Sequence, residues 1–125
     1  MEILILSLLM FKHFLGDFVF QMNYMIAEKG SYGMRGGLDH ASIHAFLTAV
    51  VIWIFVPVLS TVFLVGLIDG IIHYHIDWLK SNMSKEYTVK DRAFWIWFGM
   101  DQLVHYLTYV GITIWILAYY GYLTE

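Results

Sequence analysis

The sequence has no cysteine, a single proline and few charged residues. Without cysteine, disulfide bonds and thiolate metal ligands are both excluded. Lysine and arginine total 7 against 10 acidic residues, and no basic run is present, so the formal charge of −3 does not favour a nucleic-acid partner. The charged fraction is only 14%, which is low for a domain that is surrounded by water.

Hydrophobic residues make up 60% of the 125 positions. A soluble domain of this size exposes too much of its surface to hide that excess, whereas a bilayer removes the difficulty. The length fits one domain, 1–125, which we predict to be a single transmembrane domain. Lys12, His13 and Asp17 interrupt the apolar N-terminal stretch and no small-residue cleavage site follows, so we interpret it as an uncleaved first span.

Four stretches come close to the 20 or so mostly apolar residues that a spanning helix needs. They lie at roughly 3–22, 38–58, 59–80 and 94–120. A tight turn near Pro57 must separate the second span from the third, and segment 23–37 has the composition of a loop. Asp39 and Asp91 are candidate N-caps of the second and fourth spans. The predicted fold is therefore all-α, an integral membrane four-helix bundle.

Basic residues predict the orientation of this bundle. Apart from Lys12, which lies deep in the first span, all of them lie in or beside the two long connections: Lys29, Arg35, Lys80, Lys85, Lys90 and Arg92. The positive-inside rule then places both long connections in the cytoplasm and both termini on the non-cytoplasmic side. We expect a multi-pass protein of a bacterial inner membrane.

Each predicted span carries polar residues four positions apart, on one helix face. They are His13, Asp17 and Gln21 in the first span, His40 and His44 in the second, Asp69, His73 and Asp77 in the third, and Asp101 and His105 in the fourth. A charge at the bilayer centre costs at least about 2.5–3.5 kcal/mol, so these stripes must face one another. At 1.5 Å per residue, one residue of every span falls roughly 9–10 Å from the cytoplasmic end. These residues are Asp17, His44, His73 and Asp101.

Five histidines and four aspartates without a thiolate suit zinc, iron or manganese, and their number allows one or two divalent ions. The predicted metal ligands are His13, Asp17, His40, His44, His73, Asp101 and His105. Asp69 and Asp77 are candidate catalytic bases. Gln21, Gln102 and Lys12 are candidates for supporting the ligands, although the sequence leaves open whether Lys12 turns into the bundle. His75 is predicted to be interfacial, and Gly66 with Gly70 to permit close helix packing.

Three functions remain open at this point. The favoured one is a metal-dependent hydrolase that acts on a lipid or a lipid-linked, anionic substrate near the cytoplasmic interface. The second is a transporter or channel for divalent metal or protons, which is weakened because the polar stripes stop about halfway across. The third is a non-catalytic protein whose polar core only holds the helices together. The oligomeric state is open.

Four ordered motifs carry a family resemblance. They are HxxxDFxxQ from His13, HxxxH from His40, DxxxHxxxDWxK from Asp69 and DQxxH from Asp101. With these motifs the chain resembles a family of small bacterial and phage membrane proteins of unknown function, over nearly its whole length. The resemblance implies a four-span fold and no particular activity. A weaker likeness, in residue type alone, is to inner-membrane metal-dependent hydrolases.

Overall fold

The computed structural model describes residues 1–121, in which the chain forms helices and connections and no strand. The elements are α1 (Glu2–Phe14), a π-helical segment (Leu15–Val19), α2 (Asn23–Glu28), α3 (Arg35–Phe55), α4 (Leu59–Met83) and α5 (Arg92–Tyr120). The predicted all-α class is confirmed. The last positions of the predicted domain, 122–125, lie outside the described residues.

Three helices, α3, α4 and α5, are long and apolar enough to cross a membrane. They correspond to the second, third and fourth predicted spans. The first predicted span corresponds to α1 together with the π-helical segment, which follow each other without a break as 13 and 5 residues. A π-helical turn widens the helix locally and is frequent at functional sites.

The connection between α1 and α3 differs from the prediction. Segment 23–37 is not all loop, because it contains α2, and α3 begins at Arg35. The prediction that Asp39 caps this helix is therefore wrong: Asp39 lies inside α3, where it accepts hydrogen bonds from Tyr24 Oη at 2.8 Å and Arg35 Nε at 3.2 Å. A Cβ atom on Gly36 would lie 2.7 Å from the Tyr24 carbonyl oxygen. The glycine that resembled a turn residue thus permits close packing of α2 on α3.

The other two connections are near the predicted positions. Residues 56–58 around Pro57 separate α3 from α4, close to where the sequence predicted a turn, and α4 begins at Leu59. Asp91 occupies the N-cap position of α5, but its carboxylate accepts hydrogen bonds from the Thr88 backbone N at 2.7 Å and Thr88 Oγ1 at 2.8 Å. It therefore stabilises the turn that precedes the helix and does not cap the helix N-terminus with its side chain.

The long helices pack as a ring in which α1 contacts α3, α3 contacts α4, α4 contacts α5 and α5 contacts α1. The predicted close packing at Gly66 and Gly70 is confirmed. A Cβ atom would lie 2.7 Å from the Ala45 carbonyl oxygen at Gly66 and 2.8 Å from Ala45 Cβ at Gly70. A side chain at either position would push α4 away from α3.

The two ends of the ring differ in character. At one end the two long connections meet, since Asn82 Nδ2 at the end of α4 donates to the Gly30 carbonyl at 2.9 Å. At the other end, Thr61 near the start of α4 hydrogen-bonds with Tyr120 at the end of α5. Neighbouring long helices are therefore antiparallel. The apolar core fills the second end: Ile5, Leu9, Val51, Ile52, Val56, Val62, Val65, Tyr109, Ile112 and Ile116.

Candidate metal centre

The π-helical segment brings Asp17 against three histidines of α3 and α4. Asp17 Oδ1 lies 3.1 Å from His44 Nε2, 3.3 Å from His40 Nε2 and 3.6 Å from His73 Nε2. The Nε2 atoms of His40 and His73 are 3.2 Å apart, and all four side chains are at least nine-tenths buried. We call these four residues the first donor group.

These separations match those of ligands around a single ion. Nitrogen and oxygen ligands about 2.05 Å from a tetrahedral metal are about 3.3 Å from one another. Asp17 Oδ1 and His44 Nε2 are 3.1 Å apart, yet neither makes a hydrogen bond. Two buried polar atoms at this distance are expected to hydrogen-bond unless their lone pairs are directed at a third atom. The first donor group could therefore hold a divalent ion.

A second donor group consists of Asp77, Asp101 and His105, which each offer a ligand atom within 4.8 Å of the others. His105 Nδ1 lies 2.8 Å from the Asp101 carbonyl oxygen. A carbonyl only accepts, so Nδ1 carries the hydrogen of the neutral ring and Nε2 retains its lone pair. His105 Nε2, Asp101 Oδ1 and Asp77 Oδ1 are all buried without a hydrogen-bond partner.

Asp77 connects the two donor groups. Its Oδ2 lies 3.2 Å from His40 Nε2 and 3.6 Å from His73 Nε2, while the residue also belongs to the second group. Asp77 could therefore supply a ligand oxygen to an ion held by either group.

His13, which was predicted to be a metal ligand, makes contacts through both of its ring nitrogens. Its Nε2 lies 3.1 Å from Gln102 Oε1 and 3.2 Å from Asp17 Oδ2, and its Nδ1 lies 2.8 Å from Tyr109 Oη. Since the amide oxygen only accepts, Nε2 carries the hydrogen and Nδ1 accepts from the tyrosine. Both nitrogens are thus engaged, although His13 also groups with His73 and His105 within 4.8 Å.

The two glutamines that were predicted to support the ligands both lie beside the donor groups. Gln102 Nε2 donates to Asp17 Oδ2 at 3.4 Å and to Asp101 Oδ2 at 3.2 Å. Gln21 Nε2 donates to the Asp17 carbonyl oxygen at 2.8 Å. Gln102 therefore joins the two groups, and Gln21 fixes the backbone of the π-helical segment.

Lys12 turns into the bundle, which the sequence left open. Its Nζ donates to Asp69 Oδ2 at 2.7 Å and lies 3.4 Å from His44 Nδ1. Thr48 Oγ1 donates to the same Asp69 oxygen at 2.6 Å. Asp69, predicted to be a catalytic base, is therefore held in a buried ion pair one helical turn nearer the apolar core than His73. His75 is exposed and bonds with Tyr32 Oη at 3.1 Å, outside both donor groups.

Sequence reasoning missed four residues at this site: Gly16, Lys29, Thr48 and Tyr109. Thr48 and Tyr109 continue the four-residue spacing of His44 and His105, so extending the polar stripes to hydroxyl side chains would have found them. Gly16 directly precedes Asp17, and a Cβ atom there would lie 2.2 Å from His44 Nε2. No periodic signal marks Lys29.

Lys29 reaches the site from the connection between α2 and α3. Its side chain is 11% exposed, and Nζ donates to Gln21 Oε1 at 2.9 Å and to Asp77 Oδ2 at 3.2 Å. Burial alone would lower the pKa of Lys29, but the negative charges of Asp77, Asp17 and Asp101 outweigh burial and raise it. Lys29 is therefore a charged ammonium group beside the carboxylate of Asp77, which lies between the two donor groups.

The hydroxyl of Tyr109 gives a direct test of this network. Tyr109→Phe leaves the buried Nδ1 of His13 without its donor, and we expect the free energy of unfolding to fall by about 1–3 kcal/mol. The measurement is thermal or detergent unfolding of purified protein followed by circular dichroism. Tyr106→Phe is the control, because within residues 1–121 the Tyr106 hydroxyl makes no hydrogen bond. Equal stabilities of the two variants would contradict the assignment.

No curated protein and no solved structure matches the chain. A family profile matches residues 5–122, a region that includes both donor groups and every residue that supports them. Over nearly its whole length, then, the chain belongs to the family described as "Protein of unknown function (DUF3307)".

Proposed function

We propose that this chain is an integral membrane metalloprotein in which α1 with its π-helical segment, α3, α4 and α5 each cross the bilayer. The apolar composition of α3, α4 and α5 supports this, and the ring packs α1 between α3 and α5. Basic residues concentrate at the end where the two long connections meet. That end is then cytoplasmic and both termini lie on the other side.

One observation above all supports a metal site. Within residues 1–121, seven buried polar side-chain atoms lack a hydrogen-bond partner, and each of them belongs to one of the two donor groups. They are Asp17 Oδ1, His40 Nδ1, His44 Nε2, His73 Nδ1, Asp77 Oδ1, Asp101 Oδ1 and His105 Nε2. A polar core that served only to join helices would pair its own donors and acceptors, because an unpaired buried group is costly. Divalent ions would satisfy five of these atoms, Asp17 Oδ1, His44 Nε2, Asp77 Oδ1, Asp101 Oδ1 and His105 Nε2, whereas His40 and His73 face the site with Nε2 and not with Nδ1.

Two ions account for the arrangement better than one. The first donor group supplies four ligands, the second supplies three, and Asp77 lies between them. Nitrogen and oxygen donors without sulfur suit zinc, iron or manganese. In this assignment His13, Gln102 and Gln21 orient the ligands, and Lys12 with Asp69 closes the site on the side of the apolar core.

The reaction that fits this site is hydrolysis of a lipid or lipid-linked substrate near the cytoplasmic interface. Divalent ions held by the two donor groups would lower the pKa of a water molecule toward neutrality and stabilise developing negative charge. Of the two carboxylates predicted to be bases, Asp77 has a buried oxygen free of hydrogen bonds, whereas Asp69 is paired with Lys12. With one oxygen on an ion, Asp77 would accept the proton of the attacking water on its other oxygen and return it to the leaving group as the ester bond breaks.

The donor groups can be reached from one side of the bundle, through partly exposed residues, and this supports hydrolysis more than transport. Gln21 and Lys29 are partly exposed and lie between the donor groups and the end formed by the long connections, and Gln102 is partly exposed beside Asp17 and Asp101. At the opposite end the described helices pack an apolar core that contains buried Ile5, Leu9 and Ile52. A metal or proton that crossed the protein would have to pass the Lys12–Asp69 pair and then this core.

Metal content is the first test. Purified wild-type protein, loaded with zinc or manganese and dialysed, is expected to retain one to two ions per chain by elemental analysis. Asp17→Asn removes a charged ligand with little change of shape, and we expect its metal affinity to fall at least about tenfold. Asp39→Asn is the matched control, since in the described part of the chain the Asp39 carboxylate bonds with Tyr24 and Arg35 and with neither donor group. Wild-type protein that retains no ion would refute the proposed metal site.

The same preparations test the reaction. Metal-loaded wild-type protein in mixed micelles is incubated with phosphatidic acid and with phosphatidylcholine, and released phosphate, fatty acid and choline are measured. We expect release that requires metal and is lost in Asp77→Asn. If the protein binds stoichiometric metal but releases no product from either lipid, it is a metal-binding protein that does not hydrolyse these lipids.

A further inference from the structure

Two ammonium groups contact the donor groups within residues 1–121, and they do so from opposite sides. Lys12 approaches from the apolar core and is paired with Asp69, which takes no part in either group. Lys29 approaches from the cytoplasmic connections, and its carboxylate partner is Asp77, the residue that joins the two groups. Binding of ions would therefore leave the partner of Lys12 in place but would engage the partner of Lys29.

Counting charges shows the difference. Lys12 and Asp69 cancel each other. Asp17, Asp77 and Asp101 carry three negative charges against the one positive charge of Lys29, so two negative charges remain when the histidines are neutral. One divalent ion neutralises the site, and a second leaves it with two positive charges. Because uncompensated charge is expensive in a buried site, the fully loaded site needs an anion.

The position of Lys29 determines where that anion would bind. Asp77 Oδ2 lies 3.2 Å from Lys29 Nζ and 3.2 Å from His40 Nε2, so an ion at the first donor group competes with Lys29 for this oxygen. Once Asp77 bonds to metal, Lys29 keeps Gln21 as a partner and has N–H donors to spare. Its ammonium group then faces the ions from the side that is partly open to water.

We propose that Lys29 binds a phosphoryl group that contacts the loaded metal site, so that the anion and the second ion bind cooperatively. This inference rests on the proposed metal site and specifies the substrate of its hydrolase as a phosphate ester. A phosphoryl group offers several oxygens, which can contact two ions and an ammonium group at once. Tyr24 and Ile26 of the preceding helix α2, and Met22 just before it, are exposed and are residues suited to the membrane interface where phosphate headgroups lie.

The test measures coupling between metal and phosphate. Zinc or manganese is titrated into wild-type protein, Lys29→Met and Lys29→Arg in detergent, with and without inorganic phosphate, by calorimetry or equilibrium dialysis. In wild type we expect phosphate to tighten binding of the second ion roughly tenfold. Lys29→Met should lose this coupling, and should bind metal without phosphate at least as tightly as wild type because a competing cation is gone. Lys29→Arg should retain most of the coupling.

A second arm identifies the source of the phosphoryl group. The same titrations are made in nanodiscs of phosphatidylcholine with and without phosphatidic acid. Coupling with inorganic phosphate indicates a site open to small phosphates, and coupling only with phosphatidic acid indicates a lipid headgroup; both support the proposal. If wild type binds metal and Lys29→Met shows the same coupling, or if no coupling exists, this inference is wrong while the metal site stands. If wild type binds no metal, the proposed function itself fails.

Discussion

Gly16→Ala is expected to disrupt the first donor group and to destabilise the whole bundle. A Cβ atom at this position would lie 2.2 Å from His44 Nε2 and 2.4 Å from His44 Cε1. The imidazole is fully buried, so it has no free space into which to turn. Overpacking of this kind costs about 1–3 kcal/mol, and any relief moves Nε2 away from Asp17. Loss of bound metal and a lower free energy of unfolding should therefore occur together.

The chain offers matched controls for this substitution. Gly99 and Gly111 lie in α5, where a Cβ atom would meet nothing within 4 Å. Alanine favours a helix over glycine by about 0.5–1 kcal/mol, so Gly99→Ala and Gly111→Ala should be neutral or stabilising and should keep their metal. Elemental analysis and unfolding followed by circular dichroism measure both quantities. If Gly16→Ala binds metal as tightly as these controls, the first donor group is not the ligand set.

The polar stripes were the part of the site that sequence could predict. Helical spacing alone placed His13 and Asp17, His40 and His44, and Asp101 and His105 on common faces, and the bilayer required those faces to meet. The structure brings these residues together in the half of the ring that is nearer to the two long connections. The prediction needed only the four-residue spacing of the polar residues and the cost of exposing them to lipid, and both can be judged for one helix at a time.

Features that depend on contacts between distant segments could not be predicted from the sequence. The composition of segment 23–37 indicated a loop, because glycines that allow close packing look the same in sequence as glycines that allow a turn. Lys29, in that segment, looked like an ordinary topology signal, and only the path of the chain after α2 takes its Nζ to Asp77. The π-helical turn at Asp17 has no sequence signature of its own.

The roles of individual polar residues were also hidden. Asp69 and Asp77 occupy the same stripe of α4, two turns apart, and nothing in their spacing distinguishes them. Lys12 distinguishes the two aspartates, because it pairs with Asp69 at 2.7 Å and not with Asp77, which lies between the donor groups. His13 likewise differs from His44 only through Tyr109 and Gln102, which occupy both of its ring nitrogens.

The Lys12–Asp69 pair should show the largest effect of any single charge in the protein. Both side chains are at most 3% exposed, and the pair lies on the side of the donor groups that faces the apolar core. Lys12→Met leaves a buried carboxylate whose remaining donor is Thr48, and Asp69→Asn leaves a buried ammonium without its counter-ion. Removing one partner of a buried pair costs about 3–5 kcal/mol. We expect each single variant to lose stability on this scale.

The double variant separates charge pairing from packing. Lys12→Met with Asp69→Asn contains no buried charge, keeps an oxygen that can accept from Thr48, and replaces the lysine stem with an apolar chain of similar length. Its stability should recover most of what either single change loses, because a neutral replacement of a buried pair is often no less stable than the pair. The free energies of unfolding of wild type, both singles and the double in detergent give the coupling, with exposed Lys85→Met as a control expected to change by less than about 0.5 kcal/mol. Additive losses in the double variant would mean that the two side chains do not act as a pair.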